Sequence, residues 1–505
     1  MSFKISDYNP DVLSCIANLS SDEVFTTPQV ANTLLDLLPE RLWEDPSTKI
    51  LDPCSKTGIF LRESAKRFER SLSDQIPDLQ ARIDHILTNQ LYGIAITDLT
   101  ALISRRTLYC SKTAIGENSI CQSFADSQGN IRSPSSTHLW QSGKCLICGA
   151  AQAEYDRGDL LESYAYDFIH QQTTQSTQLL QMKFDVIIGN PPYQLSDGGA
   201  QKSASPIYHL FIEQAIKLNP RYLVMIVPAR WYNGGKGLDD FRAKILADNR
   251  FVELHDYPDT SDCFPGVNIR GGVCYFLWDR NHNGDCKVIN YKAKKPISIM
   301  TRSLSSQGDT GFIRFNRGVE ILQKVSRQSD TSFSSLVSPR NPFGLPTNFK
   351  DFSSEKGSEN QITIYMNRKR GFISKSQVGK NIELVDRWKV LVPYASPGDD
   401  SYPHLILSNP LVAAPGSCCT ETYLIAGDFD SELLAINAAS YLRTTFARFL
   451  ILLSKSAHHI YAKNYAFVPL KDFSREYDDA LLASEYGLTL DDREYMSSLV
   501  KPIAK

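Results

Sequence analysis

Nowhere in its 505 residues does the chain carry an uncharged apolar run of the roughly 18 or more residues that a membrane-crossing helix needs. It also lacks an excess of either charge: 54 Lys and Arg stand against 56 Asp and Glu, a formal net charge of -2. A polycation that holds nucleic acid over its whole surface is therefore excluded, and any such partner must meet a local basic patch. Fixed-period repeats and low-complexity tracts are absent, which sets aside solenoids and disordered linkers. The start, Met1 to Tyr8, has no apolar core behind a basic tip, so no secretion signal is expected and the predicted location is the cytoplasm. What is present is an ordinary globular composition, 42% hydrophobic and 10% aromatic, with length for two to four compact units. The 11 cysteines are expected to be reduced thiols, with any tight cluster read as metal-binding.

From about Phe25 to Tyr291, short apolar runs alternate with longer amphipathic stretches, the pattern of a doubly wound α/β sheet. Strands are predicted at 49–51, 90–96, 184–189, 222–227, 252–257 and 272–278, and helices at 29–38, 59–69, 208–217 and 237–248. Residues 110–157 lack periodicity, carry Ser, Gly, Asn and four cysteines, and read as an insertion. The expected division is 1–109 with 158–298 as one domain, 110–157 as the insertion, 299–470 as a second domain and 471–505 as an acidic helical tail. One long helix is predicted over 431–453.

The most specific string is Phe184-Asp-Val-Ile-Ile-Gly-Asn190-Pro191-Pro192-Tyr193. Here an apolar strand delivers an amide, two prolines and an aromatic ring to the carboxyl edge of the sheet, where open α/β sheets bind ligands. The chemistry suits an exocyclic amine, whose lone pair is delocalised into its ring and must be drawn toward tetrahedral geometry. The Asn190 side-chain oxygen and the Pro191 carbonyl can each accept one of its hydrogens. The prolines hold those acceptors in place beforehand, and Tyr193 is expected to stack on the base. For Asn-Pro alone, a turn with an aromatic plug is the better reading; the whole string directly after a strand reverses that.

On these residues the chain resembles the amino-group DNA methyltransferases, specifically the adenine-N6 enzymes of bacterial restriction-modification systems. The resemblance implies an S-adenosylmethionine donor, a flipped adenine in double-stranded DNA and a target-recognition domain. The implied fold class is α/β, with a doubly wound seven-stranded Rossmann-like methyltransferase sheet, a small zinc-knuckle insertion and a C-terminal α+β recognition domain. Phe25, Thr26, Thr27 and Pro28 match the segment that would hold the donor's methionine end, while Thr27 is also a sensible helix cap. Asp52, Pro53, Gly58 and Phe60 match the first cofactor loop, with Lys56 standing where the family usually has glycine. The usual ribose-binding acid falls at Ala95. Asp98 is the candidate replacement, with capping of the next helix as the competing reading. Asp159 is the candidate for touching the donor's adenine, and His209 on the helix after the catalytic loop reads as structural.

Within the insertion, Cys145-Leu-Ile-Cys148-Gly149 is a knuckle that bends two thiolates toward one tetrahedral ion. Cys110 and His138 complete the predicted zinc set, with Cys121 as an alternative to either. Four protein ligands leave no open position, so such a metal would be structural. In the second domain, residues 301–470 carry 19 Lys and Arg against 14 Asp and Glu. The densest cationic run, Arg368-Lys369-Arg370, is a candidate DNA contact, with a solvated charged face as the competing reading. Arg340, Lys375 and Lys380 extend the set, and His458 and His459 sit in a further segment that could face DNA.

The expected function is thus site-specific methylation of adenine-N6. Competing readings are a non-catalytic specificity or assembly subunit, and a transferase acting on RNA adenine or protein glutamine. A nuclease is expected, if anywhere, on a separate endonuclease chain.

Overall fold

The computed structural model describes residues 24–133, 136–156, 166–171, 179–195, 205–269, 271–305, 312–328, 331–357, 360–395, 402–455 and 459–503. The chain divides into two compact units between Leu304 and Ser305, close to the expected boundary at 298/299.

The first unit is built on one large mixed sheet. Its strands are β1 (Ile50–Ser55), β2 (Leu91–Ala95), β3 (Ile131–Arg132), β6 (Val186–Gly189), β7 (Tyr222–Pro228), β8 (Phe251–Tyr257), β9 (Val273–Asp279), β10 (Cys286–Lys292) and β11 (Lys295–Arg302), with β4 (Trp140–Gln141) and β5 (Lys144–Cys145) apart in a small hairpin. Across the sheet the order is β11-β10-β8-β9-β7-β6-β1-β2-β3. β1 pairs in parallel with β2 and β6, and β6 with β7, whereas β9 runs antiparallel to both β7 and β8. Among the described residues the sheet has nine strands, two more than expected. The run from β3 to β8 would end at an open edge, and the hairpin of β10 and β11 covers it, β10 in parallel with β8. β7 is buried at every position, as its uninterrupted Tyr-Leu-Val-Met-Ile-Val-Pro run requires of a central strand covered on both faces. All six predicted strands form, within a few residues of their expected ends, and the helix Tyr208–Lys217 forms over its predicted span.

The sequence order reverses on either side of β1, which makes the gap between the carboxyl ends of β1 and β6 the topological switch point. β1 and β6 approach closely there: a Cβ on Gly189 would lie 2.8 Å from the Cys54 sulfur.

The insertion is smaller than 110–157. Its first part supplies the edge strand β3, buries Ala114 and Cys121, and is tied down where the Asn130 amide donates to the Leu87 and Thr88 carbonyls. A two-residue strand has too few positions to display a period, so β3 is invisible to pattern reading. The segment with its own organisation is the β4–β5 hairpin and the turn after it.

In the second unit, β12 (Gln361–Met366), β13 (Lys369–Ser374) and β16 (Ser417–Cys419) form one three-stranded sheet. A second three-stranded sheet comprises β14 (Trp388–Pro393), β15 (Leu411–Ala413) and β17 (Tyr423–Phe429). Ile364, Ile373, Leu391, Cys418 and Ile425 share one core. The predicted helix over 431–453 is two helices, Glu432–Arg443 and Thr445–Ser454, broken at Thr444 with ψ 149°. Thr444 caps the second helix through Ala447 N, while the Asp479 carboxylate accepts from the first-turn N–H groups of Thr445 and Phe446. The tail is helical as expected and packs within this unit: Asp492 meets Lys324 at 2.5 Å and Phe446 stacks on Tyr486 at 5.0 Å.

Candidate active site

Asn190 is the first residue beyond β6 and is 4% exposed. Its amide nitrogen donates to the Val24 carbonyl at 2.9 Å and to Thr26 Oγ1 at 3.1 Å. The side-chain oxygen is buried with no hydrogen-bond partner among the described residues. Both amide hydrogens are thus committed to one segment, which fixes the orientation of the amide and leaves its acceptor turned elsewhere. A buried polar atom without a partner costs about 1–3 kcal/mol, and such atoms cluster where a ligand group will supply the missing bond. Pro191 and Pro192 are buried beside it. The loop closes on itself, Tyr193 O accepting from Ile207 N at 3.2 Å, just before the helix Tyr208–Lys217.

Tyr193 is packed into the hydrophobic core at 8% exposure, and burial pushes its hydroxyl well above the usual range. The stacking face expected of it is covered in this structure. An aromatic cavity of about 600 Å³ is instead lined by Thr27, Pro28, Tyr257, Cys263, Tyr275 and Tyr291. Tyr257 and Tyr291 stack at 4.3 Å. Sequence reasoning misses these tyrosines because they come from three strands, each of which looks like ordinary core.

The loop after β1 faces the same point. A small cleft is lined by Thr26, Asp52, Cys54, Lys56, Thr57, Gly58, Phe60 and Asn190. Asp52 is buried, accepts from Cys54 N at 3.2 Å, and is pushed up to about 7 by burial. Pro53 continues the buried strand. Gly58 has φ +71°, and a Cβ there would meet Ser104 Cα at 3.0 Å, so conformation and close approach both require glycine. Phe60, 2% exposed, anchors the first turn of the helix Ile59–Ser71.

Lys56 is the departure from the expected glycine, and its position explains why it is tolerated. The side chain is 7% exposed and its ammonium donates to the Val24 carbonyl at 3.2 Å. That is the same oxygen that takes the Asn190 amide, so one carbonyl joins the loop after β1 to the side chain of Asn190. Thr26 is buried at this junction. Thr27 caps the helix Pro28–Leu35 through Val30 N at 3.3 Å, with Pro28 at its first position, and Phe25 is half-buried before it.

Asp98 is exposed and accepts a hydrogen bond from the Ser133 hydroxyl. It does not cap the helix Asp98–Tyr109, because Thr97 does so in a reciprocal pair with Thr100. Nor does it line the cleft around Asp52. His209 packs against Phe241, and burial holds its imidazole below the usual range. Asp159 and His458 lie outside the described residues.

The expected metal set is corrected in one member. His138, Cys145 and Cys148 come together with His170, all four ligand atoms lying within 4.8 Å of one another. Cys110 is exposed, in the left-handed turn that ends the helix Asp98–Tyr109, and Cys121 is buried among apolar residues of the first unit; neither belongs to the group. His170 escapes sequence reasoning because a long stretch of chain separates it from the knuckle.

Arg368, Lys369 and Arg370 stand exposed at the turn and start of the β12–β13 hairpin, with Arg368 at φ 58°. The Lys369 ammonium sits 4.8 Å from the centre of the Phe352 ring. Arg340 and Lys375 are engaged with Glu421 and Asp386.

Three comparisons bear on this chain. Residues 89–264, which hold β2, β6, β7, β8 and Asn190 to Tyr193, match the model of the Eco57I restriction-modification methylase family. An uncharacterized adenine-specific methylase of Mycoplasma pneumoniae (strain ATCC 29342 / M129 / Subtype 1) is 38% identical over 310 residues, 56% of this chain and 73% of that protein. Among solved structures, the type IIG restriction endonuclease BpuSI matches at a TM-score of 0.40 and 11% identity, over 93% of this chain and 61% of that one. The type IIL restriction-modification enzyme MmeI in complex with DNA matches at a TM-score of 0.42 and 13% identity, over 86% and 62% respectively. The chain spans less than two thirds of the length of either solved structure. With 38% identity to a relative of which it covers 73%, the chain belongs to the adenine-specific methylases.

Proposed function

We propose that the protein methylates the N6 amino group of an adenine extruded from duplex DNA at a specific sequence, as the modification activity of a restriction-modification or related defence system. The observation that carries this reading is the Asn190 side-chain oxygen, buried and without a partner while its amide nitrogen is held twice. An acceptor fixed in that way suits an amine hydrogen arriving with the substrate. It can draw the nitrogen lone pair out of conjugation, with the Pro191 carbonyl as the second acceptor, without reorganisation during the reaction. The cavity lined by Tyr257, Tyr275 and Tyr291 is the candidate site for a flat base taken out of the stack.

The residues around the first cofactor loop fit S-adenosylmethionine. Asp52 is a buried carboxyl whose ionisation is disfavoured by burial, and a cationic donor beside it would offset that cost and favour the carboxylate. Gly58 lets the loop turn closely, Thr26 lines the same cleft, and Thr27 and Pro28 line the neighbouring tyrosine-lined cavity. S-adenosylmethionine supplies an electrophilic methyl group when bound. The chain's own contribution is to hold donor and amine in line, to accept the two amine hydrogens and to exclude water; the surplus proton can leave to solvent after transfer. Asp98 is retained as a candidate ribose contact.

Duplex DNA is the proposed partner, with Arg368, Lys369 and Arg370 as backbone contacts of a recognition domain and with any endonuclease on a separate chain. The location proposed is the cytoplasm; no helix among the described residues is long and apolar enough to cross a membrane. A structural zinc ion in the insertion is part of the same reading and takes no part in methyl transfer. Incubating the protein with labelled donor and mixed-sequence duplex tests the activity, and absence of label on adenine would sink it. Mapping methylated bases after expression in a methylation-free host then identifies the target sequence.

A further inference from the structure

The hairpin of β4 and β5 has little apolar material to fold on. Between Arg132 and Tyr166 its only buried hydrophobic residues, among those described, are Cys145, Cys148 and Ala150, while Leu139 and Leu146 are 46% and 64% exposed. Something other than a hydrophobic core must hold it.

Two of its residues meet two others in a geometry that polar packing alone does not require. Cys148 Sγ lies 3.5 Å from His138 Nδ1, and Cys145 Sγ lies 3.5 Å from His170 Nε2. With zinc–sulfur bonds of about 2.3 Å and zinc–nitrogen bonds of about 2.0 Å, the edge between two tetrahedral ligands is about 3.5 Å. His170 Nδ1 is 2.8 Å from the Tyr166 carbonyl, which assigns the ring proton to that nitrogen and leaves the Nε2 lone pair facing the cysteine. The knuckle is closed by backbone bonds, Gly149 N to Cys145 O at 2.9 Å and Cys145 N to Ala150 O at 2.8 Å, with Gly149 at φ +74°.

We infer that His138, Cys145, Cys148 and His170 bind one zinc ion as a closed structural site that staples the inserted hairpin to the helical turn Asp167–His170. This rests on the structural-metal part of the reading above and is independent of methyl transfer. On binding, each cysteine thiol gives its proton to solvent, and the two thiolates with two neutral imidazoles fill all four positions. The staple has a mechanical consequence. Phe168 stacks on Phe211 at 5.8 Å and Tyr166 meets the same ring edge-on at 5.6 Å. Phe211 belongs to the helix Tyr208–Lys217, directly after the loop that closes on Tyr193. The metal therefore braces the support behind the catalytic loop.

Elemental analysis of the full chain purified without chelator tests the site, with about one zinc per chain expected from a four-ligand centre. Cys148→Ser and His170→Ala should each lose it, while Cys110→Ala and Cys121→Ala should keep it. Should the ligand variants fail to fold, cobalt exchanged into the natural chain reads the same centre: tetrahedral visible bands with thiolate charge transfer are expected. Folded natural protein without zinc that shows no such bands with cobalt would overturn the site. Full zinc retention in His170→Ala would overturn the ligand set. Methyl transfer measured on the same preparations separates the two readings: active protein devoid of zinc removes the metal alone, and inactive zinc-loaded protein removes the activity alone.

Discussion

At Asn190 one side chain has two separate duties. Its nitrogen ties the loop to Val24 and Thr26, and its oxygen, without a partner among the described residues, is the acceptor that the proposed function assigns to the substrate amine. Asn190→Ala should lower kcat by about 10²–10³-fold, the cost of removing one preorganised transition-state interaction, while donor affinity measured by calorimetry changes much less. Loss of the folded state instead would make Asn190 a structural residue. Asp52 supplies a pH signature. Burial raises its pKa from the ordinary carboxyl range to about 7, so the folded state favours the neutral form. That contribution to stability is fully present below the ordinary carboxyl range and is lost as pH rises through about 7. Urea midpoints of the natural chain should therefore fall across that window. In Asp52→Asn the corresponding fall in unfolding free energy should be smaller by up to about 4 kcal/mol, since one pKa unit corresponds to about 1.4 kcal/mol. Identical pH profiles would show that the buried carboxyl is not shifted.

At the scale of elements, the turn from β1 into the helix Ile59–Ser71 depends on Gly58. Alanine there must adopt a left-handed φ and push against Ser104 backbone at 3.0 Å. The expected cost is about 1–3 kcal/mol from backbone strain, read as a lower denaturant midpoint together with weakened donor binding. Unchanged values would mean that the turn has room to relax. Much of this element is legible in the sequence, because strand, Asp-Pro, glycine and apolar helix start are contiguous. Lys56 is legible only as an oddity. Its partner Val24 is 32 residues away, and no local pattern shows that its ammonium and the Asn190 amide share one carbonyl. The break at Thr444 is hidden for a related reason: apolar periodicity continues on both sides, and Asp479, which satisfies the second helix's N-terminus, comes from later in the chain.

The whole molecule joins a catalytic unit to a second unit whose cationic surplus is local. Replacing Arg368, Lys369 and Arg370 with alanine should weaken DNA binding about equally for all sequences. It should also flatten the dependence of log affinity on log salt by about 0.9 for each phosphate that is no longer neutralised. Binding isotherms at several salt concentrations measure both effects, and an unchanged slope would assign the hairpin tip to solvent.

By itself the sequence determined the α/β class and six strands of the first unit, and it pointed to the loops Asn190 to Tyr193 and Asp52 to Phe60 as candidate sites. These depend on neighbours in the chain, where hydrophobic period and turn chemistry act locally. Tertiary structure decided what depends on chain-distant approach: the β10–β11 hairpin that extends the sheet, the tyrosine-lined cavity, the Lys56–Val24–Asn190 junction, and His170 in place of Cys110 beside the knuckle. Side chains brought together by packing leave no fixed spacing behind them, so only the fold could name these partners.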